Sequence, residues 1–173
     1  QLSDREGEGI ACSGLGNAHQ MLGQNEKAIE YHEKSLVIQR EMGDRAGMGA
    51  SFQNLGNAYW RMGQFAKALE LYEKTLVIAR EMGDRAGEGI AYSGLGNAYI
   101  NMKQYAKAIE FHEKNLVIKR EMGDRAGEAR TYGNLGAAYH NLGQPAKAKE
   151  FYEKSLVLAR ELGLRDVDFE VSS

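Results

Sequence analysis

Apolar residues recur every three or four positions in two neighbouring segments of the chain, at about 45–62 and 65–82. In the first segment, at 100° per residue, Phe52, Leu55 and Tyr59 fall on one side of a helix. The second segment carries a broader apolar stripe, as expected of a helix that packs on two neighbours. A Gly-Gln pair separates the two. The pattern therefore predicts two antiparallel helices of about 17 residues each.

This two-helix unit occurs four times at a constant period, which the motif GDRAG marks by beginning at Gly43, Gly83 and Gly123. A period of this length is typical of a solenoid, in which each repeat buries its apolar face only against its neighbours. Repeats 1 and 3 are more alike than either is to repeat 2, which indicates a duplication of a two-repeat unit. No segment alternates with period two, so we predict an all-α array. The array covers residues 1–173, with repeats at about 4–43, 44–83, 84–123 and 124–163 and a divergent C-terminal tail at 164–173.

The repeats meet at the GDRAG motif, in which a glycine ends one helix and an aspartate caps the next. A second set of glycines lies on the apolar side of each first helix and predicts a close approach of the second helix. We expect small alanines of the second helix to be their partners. These glycines are Gly16, Gly56, Gly96 and Gly136, and the alanines are Ala28, Ala68, Ala108 and Ala148.

Composition and charge exclude several classes of function. The formal net charge is −2, and acidic and basic residues are interleaved, so nucleic acid and acidic membranes are not expected partners. Cys12 is the only cysteine, which excludes an internal disulfide and a cysteine zinc cage, and no metal or cofactor site is predicted. No apolar run approaches the roughly 20 residues that membrane insertion requires. We expect a cytoplasmic protein. It is not expected to be an enzyme, because no nucleophile, base and orienting group share a face.

The spacing of the signature positions resembles the tetratricopeptide repeat, stretched from the usual length of about 34 residues to about 40 residues. In repeat 3 the resemblance rests on Tyr92, the following Leu-Gly, Tyr99 and Ala108. The GDRA joints and the Leu-Gly-Asn triplets are similar to those of the LGN and Partner of Inscuteable family of polarity and spindle-orientation adaptors. The resemblance implies a right-handed α-solenoid of four helix-turn-helix repeats, with a concave groove lined mainly by the first helices. Cys12 in the first helix and His32 and His112 in the second stand at aromatic positions and are interpreted as core residues.

Asparagine recurs in the middle of the first helix, although its amide competes for backbone hydrogen bonds and makes it a poor helix former. Asn57 points away from the apolar side, so the resemblance implies that Asn17, Asn57 and Asn97 form a row on the groove floor. An amide can donate and accept, and can therefore pair with the backbone of an extended peptide. The same face contributes the other predicted groove residues, which are Gln53, Asn54, Trp60, Arg61, Ile90, Ser93, Asn101, Arg130, Asn134 and Asn141.

These observations favour a non-enzymatic adaptor that binds an extended or partly helical segment of a partner protein in the groove, in the manner of an LGN-like scaffold. Alternatively, the asparagines only bridge neighbouring helices, and the array is a structural spacer or a self-association module. The tail is too short to cover the apolar end around Leu156. Head-to-tail contact between copies of the chain is therefore a further expectation.

Overall fold

The computed structural model describes residues 2–163, and every regular element in that range is an α-helix. This confirms the all-α fold of four two-helix repeats. The predicted tail at 164–173 lies outside the described residues. The eight helices of residues 2–163 are α1 Leu2–Met21, α2 Asn25–Met42, α3 Arg45–Arg61, α4 Phe65–Met82, α5 Arg85–Asn101, α6 Tyr105–Glu121, α7 Arg125–Asn141 and α8 Pro145–Glu161.

The chain forms two compact units, Gln1–Gly94 and Leu95–Ser173, and the division falls inside α5. Within the first unit, α1 packs on α2, α2 on α3, and α3 on α4. Within the second unit, α6 packs on α7 and α7 on α8. Each unit thus repeats one arrangement, in which consecutive helices are also neighbours in space.

The GDRAG motif forms the joints as predicted. Gly43 ends α2 in the left-handed conformation, with φ of 70°, which costs glycine nothing because it has no side chain. Asp44 caps α3, and its Oδ1 accepts a hydrogen bond from the backbone N–H of Gly47 at 2.9 Å. A Cβ on Gly47 would collide with that carboxylate. The last glycine of the motif therefore makes room for the cap, and the same bond recurs at Asp84 and Asp124.

Aromatic rings fill the space beside the glycines of the first helices. In repeat 2, the Tyr72 ring is 3% exposed and lies 2.7 Å from the place where a Cβ on Gly56 would stand. In repeats 1 and 3 a histidine takes this place, His32 against Gly16 and His112 against Gly96, at 2.5 and 2.6 Å. The prediction of a close approach is confirmed. In each case the atoms nearest to the place of the Cβ belong to the flat ring, which covers the bare backbone there.

The four alanines that we expected beside the glycines of the first helices are buried as well, at 0 to 3% exposure. The histidine prediction is confirmed as well, since His32 and His112 are both fully buried. Cys12 is only half-buried, so its predicted place in the core is partly wrong. Tyr92, its equivalent in repeat 3, is 7% exposed and accepts a hydrogen bond from Arg80 of the preceding repeat.

Buried hydroxyl groups add polar contacts between the two helices of a repeat. Ser35 Oγ donates to the Gly9 carbonyl at 3.0 Å, and Ser155 Oγ donates to the Ala129 carbonyl at 2.7 Å. Each bond joins a second helix to the equivalent carbonyl of the first helix. Each bond gives a buried hydroxyl and a buried carbonyl a hydrogen-bond partner. Because these partners would be lost if one helix shifted along the other, the bonds fix the register of the helix pair.

Tyrosine and histidine at the ring position have different neighbours in the next repeat. A Cβ on Gly94, in the first helix of the repeat after Tyr72, would be 2.8 Å from the Tyr72 ring. In the repeat after His112, the position equivalent to Gly94 is occupied by Asn134. We predict that His112→Tyr destabilises the protein by about 1–3 kcal/mol, because the larger ring needs the space that Asn134 occupies. Denaturation in urea measures this free energy of unfolding.

The matched variant is His112→Tyr combined with Asn134→Gly, which reproduces the Tyr72–Gly94 pair. A double-mutant cycle should show favourable coupling of about 1–2 kcal/mol between the two changes. Strictly additive effects would show that the ring and the facing residue of the next repeat are independent.

His112 also makes stability depend on pH. Burial lowers the pKa of its imidazole from 6.5 to about 4, and neither ring nitrogen has a hydrogen-bond partner among the described residues. The unfolded chain binds this proton near pH 6.5 and the folded chain only near pH 4, so stability is full above pH 6.5 and falls as the pH is lowered. We expect a loss of roughly 3 kcal/mol by pH 4. Urea denaturation at a series of pH values measures it, and the tyrosine–glycine variant, which lacks this group, should lose less.

Candidate binding surface

Two pairs of asparagines connect neighbouring first helices. Asn54 on α3 donates from Nδ2 to Oδ1 of Asn17 on α1 at 3.2 Å. Asn134 on α7 donates in the same way to Asn97 on α5 at 3.5 Å. We call these two contacts the amide pairs. They show that the asparagines bridge helices, which was the alternative to groove binding.

The amide pairs still present polar groups that can bind a ligand. In each pair one oxygen and one N–H group are used, and one side-chain oxygen and the other amide nitrogen have no further partner among the described residues. Asn17 is exposed, while Asn54, Asn97 and Asn134 are half-buried. Each pair therefore leaves an acceptor and donors that a peptide can reach.

Asn57 differs from the asparagines of the amide pairs. The partner of Asn17 or Asn97 lies 37 residues further along the chain, at Asn54 or Asn134. At the corresponding distance from Asn57 stands Gly94, which has no side-chain amide. Instead, the Tyr72 hydroxyl donates to Oδ1 of Asn57 at 2.8 Å. Burial raises the pKa of Tyr72, which keeps its hydroxyl protonated and able to donate. Asn57 therefore differs from Asn17 and Asn97, because its oxygen accepts a hydrogen bond from a buried tyrosine.

The other predicted residues of the first unit lie on the same helices with different exposure. Arg61 is exposed, Ile90 is 40% exposed, and Gln53 and Ser93 are half-buried. Trp60 is half-buried too, and its Nε1 is enclosed without a hydrogen-bond acceptor among the described residues. Its ring is thus partly covered by the protein and offers only part of its surface for stacking.

In the second unit, Arg130, Asn101 and Asn141 are exposed. The two asparagines stand one helical turn after Asn97 and Ala137 and donate from Nδ2 to those backbone carbonyls, each at 2.9 Å. Their oxygens have no partner among the described residues. They extend the amide-bearing face toward the ends of α5 and α7.

The second helices have a different surface chemistry. Acid–base pairs one helical turn apart lie on them, such as Lys34–Glu30 at 2.6 Å and Lys154–Glu150 at 2.5 Å. These side chains are mostly exposed, and such pairs contribute little to stability. The predicted binding residues thus consist mainly of amides with two arginines, Arg61 and Arg130, whereas these lysines and glutamates of the second helices neutralise one another.

No cluster of histidine, cysteine and carboxylate residues that could hold a metal ion occurs within the part of the chain that the structure describes. Among the described helices, none is long and apolar enough to cross a membrane.

The sequence model of the tetratricopeptide repeat family matches residues 9–81 and 87–161. The chain belongs to this family. Tetratricopeptide repeat proteins generally mediate protein–protein interactions, and the fold is typically a non-enzymatic interaction module. No curated protein sequence matches the chain.

Solved structures share the fold of these repeats. BtubC (BKLC) from P. vanneervenii is 23% identical, with a TM-score of 0.83 over 95% of this chain and 68% of that one. The nearly identical TPR-like repeats of a putative kinesin light chain from Podosopora anserina are 23% identical, with a TM-score of 0.75 over 91% and 77% of the two chains. A STAND protein with a tetratricopeptide repeat sensor from Pyrococcus horikoshii is 26% identical, with a TM-score of 0.78 over 91% of this chain and 26% of that one.

The hydrogen bonds of Asn57 and Asn17 lead to different expectations for their removal. Asn57→Ala leaves the Tyr72 hydroxyl without its acceptor in a nearly closed site, so we predict a loss of about 1–2 kcal/mol of stability. Asn17→Ala should change stability by no more than about 0.5 kcal/mol, because its amide is exposed. Chemical denaturation of the two variants makes the comparison.

Adding Tyr72→Phe to Asn57→Ala removes both partners of the bond and should restore most of the lost stability. If Asn57→Ala were as stable as Asn17→Ala, the hydrogen bond to Tyr72 would contribute nothing to the core.

Proposed function

We propose that this chain is a cytoplasmic, non-enzymatic adaptor module, an LGN-like scaffold unit that binds an extended or partly helical segment of a partner protein. In each compact unit, the binding face consists of the exposed sides of the first helices. The observation that carries this proposal is that each amide pair keeps an acceptor and donors without a partner among the described residues. The face of the first unit comprises Asn17, Asn57, Gln53, Asn54, Trp60, Arg61, Ile90 and Ser93, and that of the second unit comprises Asn97, Asn101, Arg130, Asn134 and Asn141.

The chemistry of an extended peptide fits the free groups of the amide pairs. Its backbone presents N–H donors and carbonyl acceptors at regular intervals, whatever its side chains are. The free oxygen of Asn54 can accept from such an N–H, and the free amide hydrogens of Asn17 can donate to such a carbonyl. The bonds between the asparagines support this role, because they hold the amides in place before a ligand arrives.

The remaining residues of the face would select among peptides. Arg61 and Arg130 are exposed and form no ion pair within residues 4–163, so they can hold an acidic side chain or a C-terminal carboxylate. Ile90 offers an apolar contact. We therefore expect the preferred peptide to combine an acidic group with an apolar side chain.

A library of random peptides displayed on phage tests the proposal without knowledge of the natural partner. Peptides retained by the protein are synthesised, and their affinity is measured by isothermal titration calorimetry. Replacing Asn17 and Asn97 together by alanine should weaken binding about tenfold, since two hydrogen bonds of about 0.5–1.5 kcal/mol each are lost. Asn57 is left unchanged because it supports Tyr72.

The matched control replaces Val37 and Val117 by alanine, at exposed positions on the second helices of the same repeats. This variant should bind as the unchanged protein does. A lower melting temperature of the asparagine variant with unchanged affinity would mean that the asparagines only bridge helices. Failure to retain any peptide would contradict peptide binding by this face.

A further inference from the structure

Among residues 4–163, nothing covers the apolar side of α8 that corresponds to the covered side of α4. Tyr152 is 36% exposed, whereas Tyr72, at the same position of repeat 2, is 3% exposed. Leu156 is 37% exposed, against 8% for its equivalent Leu76. An open cavity of about 370 Å³ lies beside Tyr152 and Leu156. We call this side of α8 the tail face.

The contact between α4 and α5 shows how such a face is covered. The Tyr72 ring lies 2.8 Å from the place of a Cβ on Gly94, so it rests on the bare backbone of α5. Arg80 donates to the Tyr92 hydroxyl at 2.7 Å and lies 3.9 Å from a carboxylate oxygen of Glu88. Three features define this contact: a ring on a glycine, an arginine near a glutamate, and a buried leucine.

Because the chain is duplicated with a shift of two repeats, the ring, the leucine, the arginine, the glycine and the glutamate of this contact have equivalents in α8 and α1. The tail face has Tyr152, Leu156 and Arg160 where α4 has its tyrosine, leucine and arginine. Helix α1 has Gly14 and Glu8 where α5 has its glycine and glutamate, and it has Cys12 where α5 has Tyr92, so the hydrogen bond to the tyrosine hydroxyl has no equivalent there.

The equivalent side of α1 has no neighbour in the part of the chain that the structure describes. A Cβ added to Gly14 would meet nothing within 4 Å, whereas one added to Gly94 meets the Tyr72 ring. The Glu8 side chain is 54% exposed and pairs with Arg5 of its own helix at 2.8 Å. Glu88 pairs in the same way with Arg85 and is also near Arg80, so Glu8 can accept a further arginine. We call this side of α1 the head face.

We propose that the tail face of one molecule binds the head face of a second copy, through the ring–glycine, leucine and arginine–glutamate contacts that also join α4 to α5. Tyr152 lies on Gly14 of the second copy, Leu156 becomes buried, and Arg160 pairs with Glu8 of the second copy. The two faces are different, so each dimer keeps one free head and one free tail to which further copies bind. This association uses surfaces outside the amide-bearing face and is independent of peptide binding.

Two variants block one face each. Gly14→Ala places a methyl group where the ring of the second copy must lie, and as the better helix former alanine should not lower the melting temperature. Leu156→Glu places a charge in the tail face at a position that is exposed in the single molecule. The matched control is Val157→Glu, because Val157 is 55% exposed and its equivalent Val77 stays 53% exposed beside the α4–α5 contact.

Sedimentation equilibrium from micromolar to millimolar protein measures the association. The unchanged protein and the Val157→Glu control should form dimers and larger species as concentration rises. Gly14→Ala and Leu156→Glu should each associate at least about tenfold more weakly, while circular dichroism shows them folded. When mixed, they should form a one-to-one dimer that does not grow, because one supplies an intact tail and the other an intact head.

Three results would overturn the proposal. The unchanged protein could stay monomeric at the highest concentration, or the two blocking variants could associate as strongly as the control. The third is a mixture of the two variants that contains monomers alone.

Discussion

A histidine or tyrosine ring lies against a glycine of the first helix in every repeat, and the other features of the structure depend on this contact. Because glycine has no side chain, the ring of the second helix can lie directly on the backbone of the first helix. The two helices thereby reach the close packing that protein interiors require. The glycines that this contact requires lower the intrinsic stability of the first helices. Glycine in a helix is less favourable than alanine by about 1 kcal/mol, and 14 of the 21 glycines lie in the first helices. Packing against the second helices must therefore hold these helices together.

The identity of the ring decides what surrounds it. Tyr72 has a hydroxyl, and in a buried site that hydroxyl needs an acceptor, which Asn57 supplies. Tyr72 also reaches further than an imidazole, and Gly94 leaves room for it. His32 and His112 are smaller, and asparagines stand at the corresponding later positions, Asn54 and Asn134. These two asparagines then form the amide pairs with Asn17 and Asn97.

Much of the fold could be predicted from the sequence because its signals are local. The constant repeat period, the glycine stops and the aspartate caps fix the ends of the helices closely. The side of the helix on which the asparagines lie follows from the rotation of 100° per residue in an α-helix. The partner of each asparagine could not be predicted this way, because it depends on which residue stands 15 or 37 positions away in another helix. A comparison of each ring with the residue facing it in the next repeat, Gly94 for Tyr72 and Asn134 for His112, would have revealed the two kinds of repeat.

The alternation between the two kinds of repeat also connects the interior to the surface. In repeat 2 the asparagine oxygen accepts the hydrogen bond of the tyrosine, and in the histidine repeats the asparagine is free to pair on the outer face, whereas the other tyrosine repeat, repeat 4, has Ala137 at this position. The free amides therefore come from repeats 1 and 3 together with their successors, in agreement with the two-repeat duplication. A change of ring from histidine to tyrosine would bring both a glycine requirement in the next repeat and the loss of an amide pair. Core packing and the composition of the binding face consequently cannot change independently in this chain.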